Sequence, residues 1–189
     1  RSTLFPYTTL FRSPYSLRRY EGRTLLVTHD PLDAMVLADR LVIVEHGRVV
    51  QEGAPTEIAR RPRTQYVAHL VGLNLYRGTA EGTTVILADG GRLTVAEPTT
   101  GKVHVSFSPA AVSLYAEQPG GSPRNTWPVV VAGLEQHAHT VRVRLDASPA
   151  GPATLLADIT PAAVAELRLT PGQHLHATLK ATEIQTYPS

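Results

Sequence analysis

The sequence predicts an α+β chain, a short strand-and-helix segment followed by a longer β-rich region closing into a small barrel. Three observations carry this. Between Arg23 and Gly72, short apolar runs alternate with segments that open on helix-start residues. After Gly72 the chain is broken by Gly90-Gly91, Pro98, Gly101, Pro109 and Pro119-Gly120-Gly121. The runs between these breaks are strand-length, and only one helix start interrupts them, which suits a small barrel better than a parallel sheet.

The elements follow in order. Residues 1–13 contain two Thr-Leu-Phe copies and hold neither a helical nor a strand period, so they are expected to be non-native or unstructured. Thr24–Val27 reads as a buried strand. Asp30-Pro31 then starts a helix, because aspartate caps and proline tolerates the first helical position. Asp33 favours the same terminus, and Leu32, Met35, Val36 and Ala38 supply an apolar face. Leu41–Val44 is a second strand, His46-Gly47 a turn, and Arg48–Gln51 the return. Pro55 opens a short helix and Thr64–Leu70 another. Further strands are expected at Val85–Ala88, Val103–Phe107, Val129–Leu134, Val141–Leu145, Thr154–Ala157 and Leu175–Leu179. Thr160-Pro161 starts the helix that lies among them.

Composition removes several classes of function. The chain has 189 residues, 42% hydrophobic and 18% charged, ordinary for a globular protein. There is no cysteine, which excludes disulfides and thiolate metal sites. No apolar run approaches the roughly 20 residues that span a bilayer. The net charge is +2 and the densest basic cluster is Arg60, Arg61 and Arg63, so no basic stripe points to nucleic acid. His137/His139 and His174/His176 form two His-X-His pairs that share a strand face. Neither pair has an acidic neighbour at ligand spacing, so solvent-facing positions are expected and no metal site.

The ordered run LLVTHDPLDAMVLADRLVIVEHGRVVQEGAPTEIARRP, Leu25 to Pro62, resembles the end of the ATP-binding subunits of ABC transporters. The resemblance implies a C-terminal fragment of an α/β ATPase domain over residues 14–72, and it gives His29 the catalytic role of the switch histidine near the γ-phosphate of ATP. A histidine at the end of an apolar strand suits that role, because an imidazole donates a hydrogen bond to developing phosphoryl charge. The 189 residues hold no GxxxxGK[ST] phosphate loop, no LSGGQ-like signature and no apolar strand ending in Asp-Glu before Leu25. The chain alone is therefore expected not to hydrolyse ATP and to represent part of a longer subunit.

The segments GSPRNTWPVVVAGLEQHAHTVRVRL, Gly121 to Leu145, and ITPAAVAELRLTPGQHLHATLKATEIQTY, Ile159 to Tyr187, resemble the transport-associated, OB-like domain of the molybdate-binding (TOBE/Mop) type. This implies an oxyanion domain over residues 120–189, with residues 73–119 as the first part of the same β-rich region. The family's Ser-Ala-Arg-Asn and Lys-Ala-Ser/Thr blocks read here Ser122-Pro123-Arg124-Asn125 and Lys180-Ala181-Thr182. Hydroxyls from Ser122 and Thr182, the Asn125 amide, charge from Arg124 and Lys180, and the position of Ala181 are what a tetrahedral dianion needs. Pro123 departs from the pattern, since proline offers no N–H. In Ser106–Leu114 the family's Ile-Arg-Pro-Glu-Asp-Val has lost its arginine to Ser108 and its acids to Ala110 and Ala111.

Together the resemblances imply the energy-coupling subunit of a bacterial molybdate importer. ATP and Mg2+ would be cofactors of the full-length subunit, and molybdate or tungstate the bound oxyanion. A second copy and a membrane permease would be the partners, with the subunit peripheral at the cytoplasmic face of the inner membrane. Two alternatives stand beside this. One is an importer of sulfate, iron or polyamine with a purely structural β-domain, and the other a stand-alone molybdate-storage protein.

Overall fold

The computed structural model describes residues 22–147 and 150–189, in two compact units divided between Arg60 and Arg61. The predicted non-native segment 1–13 lies outside the described residues.

In the first unit, helix α1 (Pro31–Leu37) starts where the sequence places it. The Asp30 carboxylate accepts from the backbone N–H of Leu32 at 2.8 Å and of Asp33 at 3.2 Å, filling two of the free donors of the first turn. Strands β1 (Leu41–Glu45) and β2 (Arg48–Gly53) form an antiparallel hairpin. Its turn residues His46 and Gly47 have φ of 50° and 74°, the paired left-handed geometry that matches strand twist. Arg40 pairs with Glu52 beside the hairpin. Helix α2 (Pro55–Arg60) follows and buries Ile58 completely. Thr24–Val27 differs from the sequence reading, since it forms no strand. No described strand lies beside it to share a ladder, and Leu25 is 91% exposed. A lone apolar run gains nothing from an extended ladder conformation without a neighbour.

The second unit is mostly β. Helix α3 (Gln65–Leu70) is capped by Thr64, whose hydroxyl accepts from the Val67 N–H at 3.2 Å. Two long strands follow, β3 (Asn74–Leu87) and β4 (Arg92–Phe107). They run well past the expected Val85–Ala88 and Val103–Phe107. After a single 3-10 turn (Pro109–Ala111) comes the short β5 (Ser113–Tyr115). Then come β6 (Asn125–His137), β7 (Thr140–Ala147), β8 (Thr154–Ile159), helix α4 (Pro161–Leu167) and β9 (His174–Leu179). A second 3-10 turn (Ala181–Glu183) leads to β10 (Gln185–Pro188).

These strands form two antiparallel sheets, ordered β10-β4-β3 and β5-β9-β6-β7-β8. The sheets exchange their last strands. β5 leaves β4 and pairs with β9, whereas β10 leaves β9 and pairs with β4. The registers are reciprocal, because the offset that carries Ser113 to Gln185 also carries Ser106 to Thr178, and the pairs are Ser113↔Thr178 and Gln185↔Ser106. Residues 73–119 and 120–189 are therefore woven together, and one apolar core runs through both. It includes Val85, Leu93, Val105, Phe107, Trp127, Leu145, Leu155 and Leu175.

Two close approaches fix this packing. A Cβ on Gly91 would lie 2.1 Å from the Gly151 carbonyl oxygen, and one on Gly151 would lie 2.6 Å from the Trp127 ring. Around them the Arg92 N–H donates to the Ala150 carbonyl at 3.1 Å, and the Ala153 N–H donates to the Asp89 carboxylate at 2.8 Å.

Candidate oxyanion site

The residues predicted to hold an anion gather at one end of the second sheet. β6 begins at Asn125 and β9 ends at Leu179, and these two residues are register partners. Ser122–Arg124 enters that ladder end and Lys180–Thr182 leaves it, so Arg124 and Lys180 stand on adjoining chain ends. Ser122, Arg124, Lys180 and Thr182 are exposed, while Pro123 and Ala181 are half-buried. Glu183, immediately after Thr182 in the same turn, is an acidic group beside these segments. Two cations and two hydroxyls on a shared edge can offer charge-assisted and neutral hydrogen bonds to a small anion.

Asn125 does something else. It is 3% exposed, and its amide is committed to backbone. The side-chain oxygen accepts from the Thr94 N–H at 2.7 Å, and the NH2 group donates to the Thr94 carbonyl at 2.8 Å and the Leu179 carbonyl at 3.3 Å. The sequence reading gave this amide to the anion. A buried amide left unpaired is costly, so the ordered β4 and β9 backbone holds it instead. Its position still matters to the site, because Leu179 immediately precedes Lys180.

The sequence reading missed Asn74, the counterpart of Asn125 in the other half. It is 4% exposed, donates to the Leu156 carbonyl at 3.0 Å and accepts from the Leu156 N–H at 3.0 Å. It also missed His104, 4% exposed and stacked on Tyr187 at 5.3 Å, whose hydroxyl donates to the Pro62 carbonyl at 2.6 Å. Neither ring nitrogen of His104 finds a well-formed hydrogen bond among the described residues. Burial pushes its pKa below the usual 6.5, and the Arg77 and Arg63 cations add to this against the pull of the Pro188 and Arg63 carbonyls. The signal for His104 was in the sequence. Val-His-Val-Ser-Phe at 103–107 and Leu-His-Ala-Thr-Leu at 175–179 are two copies of one pattern.

The His-X-His pairs fall as expected in part. His137, His139 and His174 are exposed, whereas His176 is half-buried. A cavity of about 420 Å³ lies elsewhere, lined by Gln65, Tyr76, Arg77 and Asp89 among others. Burial, with Asp89 nearby, raises the Tyr76 phenol above its usual range, and its hydroxyl donates to the Thr154 carbonyl at 2.7 Å. The cavity lining holds one arginine and one aspartate, so it offers an oxyanion no surplus of positive charge. His29 is exposed, one residue before the cap of α1, and stands at the end of no strand.

Residues 121–185 match the TOBE domain family. The chain is 35% identical over 170 residues to the molybdenum import ATP-binding protein ModC of Mycobacterium tuberculosis, covering 87% of this chain and 46% of that protein. It is 30% identical over 181 residues to the molybdate/tungstate import ATP-binding protein WtpC of Pyrococcus horikoshii, covering 95% of this chain and 51% of that protein. Among solved structures, the cytoplasmic molybdate-binding protein ModG shares the fold, with a TM-score of 0.55 at 23% identity, over 61% of this chain and 96% of ModG. The chain thus spans about half the length of the curated relatives it matches. Residues 121–185 thus match the TOBE domain family, within a chain similar to molybdenum and molybdate/tungstate import ATP-binding proteins.

Proposed function

We propose that the second unit holds a tetrahedral oxyanion, molybdate or tungstate, with Ser122, Arg124, Lys180, Ala181 and Thr182 as the groups that receive it. One observation carries the reading. The Asn125↔Leu179 pair sets Arg124 and Lys180 side by side at a sheet end. The TOBE match and the names of the relatives support it. Asn125 acts in this reading by fixing where the Lys180 turn begins.

The chain would serve as part of the ATP-binding subunit of a molybdate importer. Its partners there are a second copy of that subunit and a membrane permease, and its place is peripheral at the cytoplasmic face. No helix among the described residues is long and apolar enough to cross a membrane. The domain reading assigns residues 14–72 to the nucleotide-binding domain, with residues 73–119 and 120–189 forming the oxyanion region. Exposed Leu25, Val27, Leu32 and Val36 support it, because such apolar surface calls for a covering layer in a larger α/β domain. ATP and Mg2+ would belong to the whole subunit. His29 is the group that the resemblance assigns to the nucleotide site within residues 14–72. In the whole subunit, His29→Ala should lower ATP turnover by about two orders of magnitude while ATP still binds. Near-normal turnover would remove His29 from the catalytic role.

Two observations favour a second reading, a purely structural β-domain in an importer of another solute such as sulfate, iron or polyamine. Pro123 offers no N–H, and the Asn125 amide is already spent. Titration calorimetry of the whole chain with molybdate separates the two. The oxyanion reading expects saturable heat that Arg124→Ala and Lys180→Ala each weaken. The structural reading expects no heat from the folded protein at millimolar molybdate.

A further inference from the structure

We infer that oxyanion chemistry is confined to one of two structurally equivalent turns in the second unit, so that each chain takes up one anion and not two. The inference rests on the oxyanion reading above.

The equivalence comes from sequence and geometry together. Residues 103–115 read VHVSFSPAAVSLY, and residues 175–187 read LHATLKATEIQTY. Each copy is a strand, a 3-10 turn and a strand that crosses to the other sheet. The residue that opens each turn has the same backbone geometry, φ −70° and ψ 137° at Ser108 against φ −70° and ψ 138° at Lys180. The incoming strands match as well. Asn74 pairs with Phe107 at the start of β3, as Asn125 pairs with Leu179 at the start of β6. Each asparagine clasps a backbone residue of the other half, Leu156 and Thr94 respectively.

The chemistry at the two turns differs at every position that matters. Where the second turn has Lys180, Ala181 and Thr182, the first has Ser108, Pro109 and Ala110. Where the second entry segment has Ser122, Pro123 and Arg124, the first has Val71, Gly72 and Leu73. The first turn has neither cation. Its one hydroxyl is engaged as a cap, accepting from the Ala110 N–H at 3.2 Å, whereas Lys180 makes no such cap. Pro109 also removes the N–H that Ala181 keeps. A dianion needs positive charge to offset the loss of its hydration, and only the second turn supplies it. The fold thus repeats the scaffold while the sequence keeps one set of donors.

Equilibrium dialysis of the whole chain against sodium molybdate, with molybdenum counted per chain, tests this. One molybdenum per chain at saturation is expected. Lys180→Ala should weaken binding by about tenfold or more, as loss of a charge-assisted contact does. Ser108→Ala should leave both affinity and count in place. If that variant melts early, Ser108→Asp keeps a capping oxygen, adds negative charge at the first turn, and should still bind one molybdenum. Two per chain, or binding that survives Lys180→Ala and fails in both Ser108 variants, overturns the one-sided assignment and leaves the oxyanion reading standing. A folded wild-type chain that retains no molybdenum overturns both.

Discussion

The side chain of Asn125 and the backbone of Thr94 form a closed two-way hydrogen bond, 2.7 Å in one direction and 2.8 Å in the other. The amide thereby takes the place of a missing strand neighbour and ties the start of β6 to β4. Removing it leaves the Thr94 N–H and carbonyl without this partner in a largely buried setting. Asn125→Ala should therefore destabilise the second unit by about 2–4 kcal/mol, from two or three lost bonds and the groups they leave bare. Asn74→Ala should cost a similar amount through Leu156. Denaturant titration checks both, and a loss under about 0.5 kcal/mol, the range of an ordinary surface change, would contradict the clasp.

The interlock of the two halves also depends on backbone contact at Gly91 and Gly151. Gly91→Ala forces a methyl against the Gly151 carbonyl, which is backbone and cannot swing away. A loss of about 3 kcal/mol is expected, the upper range for overpacking. A thermal melt unchanged from wild type would mean that the loop at 150–152 does not close onto the turn between β3 and β4.

Arg142 and Asp158 join β7 to β8 through two bonds of 2.8 Å each, with both side chains largely buried. The carboxylate holds the guanidinium above its already high pKa, so the pair stays charged on the arginine side across the working range. Arg142→Ala strands the carboxylate and should cost about 2–3 kcal/mol, somewhat less than a fully buried pair. The double variant with Asp158→Ala should recover part of that loss. A double-mutant cycle with no coupling would reduce the pair to an incidental contact.

His104 gives the second unit an acid-sensitive point. Its pKa is lowered in the fold, chiefly by burial. Well above the unfolded pKa of about 6.5 the ring is neutral in folded and unfolded chains alike, and it adds no pH dependence. Below that, the unfolded chain takes up a proton that the folded chain resists, so stability falls as pH drops. His104→Phe keeps a ring against Tyr187 and should flatten that slope between pH 7.5 and 5.5. An identical slope in variant and wild type would place the acid sensitivity elsewhere.

Sequence alone gave much of this architecture, and the reasons for the misses are physical. Capped helix starts at Asp30, Thr64 and Thr160 were legible because a cap is a local hydrogen bond between residues close in the chain. The length of β3 and β4 was not, since Thr79, Glu81, Thr99 and Thr100 look like loop but are held by ladder partners distant in sequence. Thr24–Val27 erred the other way, reading as a strand from its apolar residues although a strand needs a neighbour. At the site, the cations of Arg124 and Lys180 were legible as chemistry, and their juxtaposition followed only from register. Asn125 was misassigned because an amide serves backbone and ligand equally well, and nothing local tells which. The repeated Val/Leu-His-Val/Ala-Ser/Thr pattern was the one available sign of the exchange between halves.

The measurement that bears most directly on the central claim is the location of tungsten in crystals of this chain grown or soaked with tungstate. Tungsten scatters anomalously, so its position needs no assumption about the ligand. The oxyanion reading predicts one strong peak per chain, within hydrogen-bond reach of Ser122–Arg124 and Lys180–Thr182, and none at the Ser108 turn. A peak confined to any other part of the surface, or no ordered tungsten at saturating tungstate with these segments open to solvent, would contradict it.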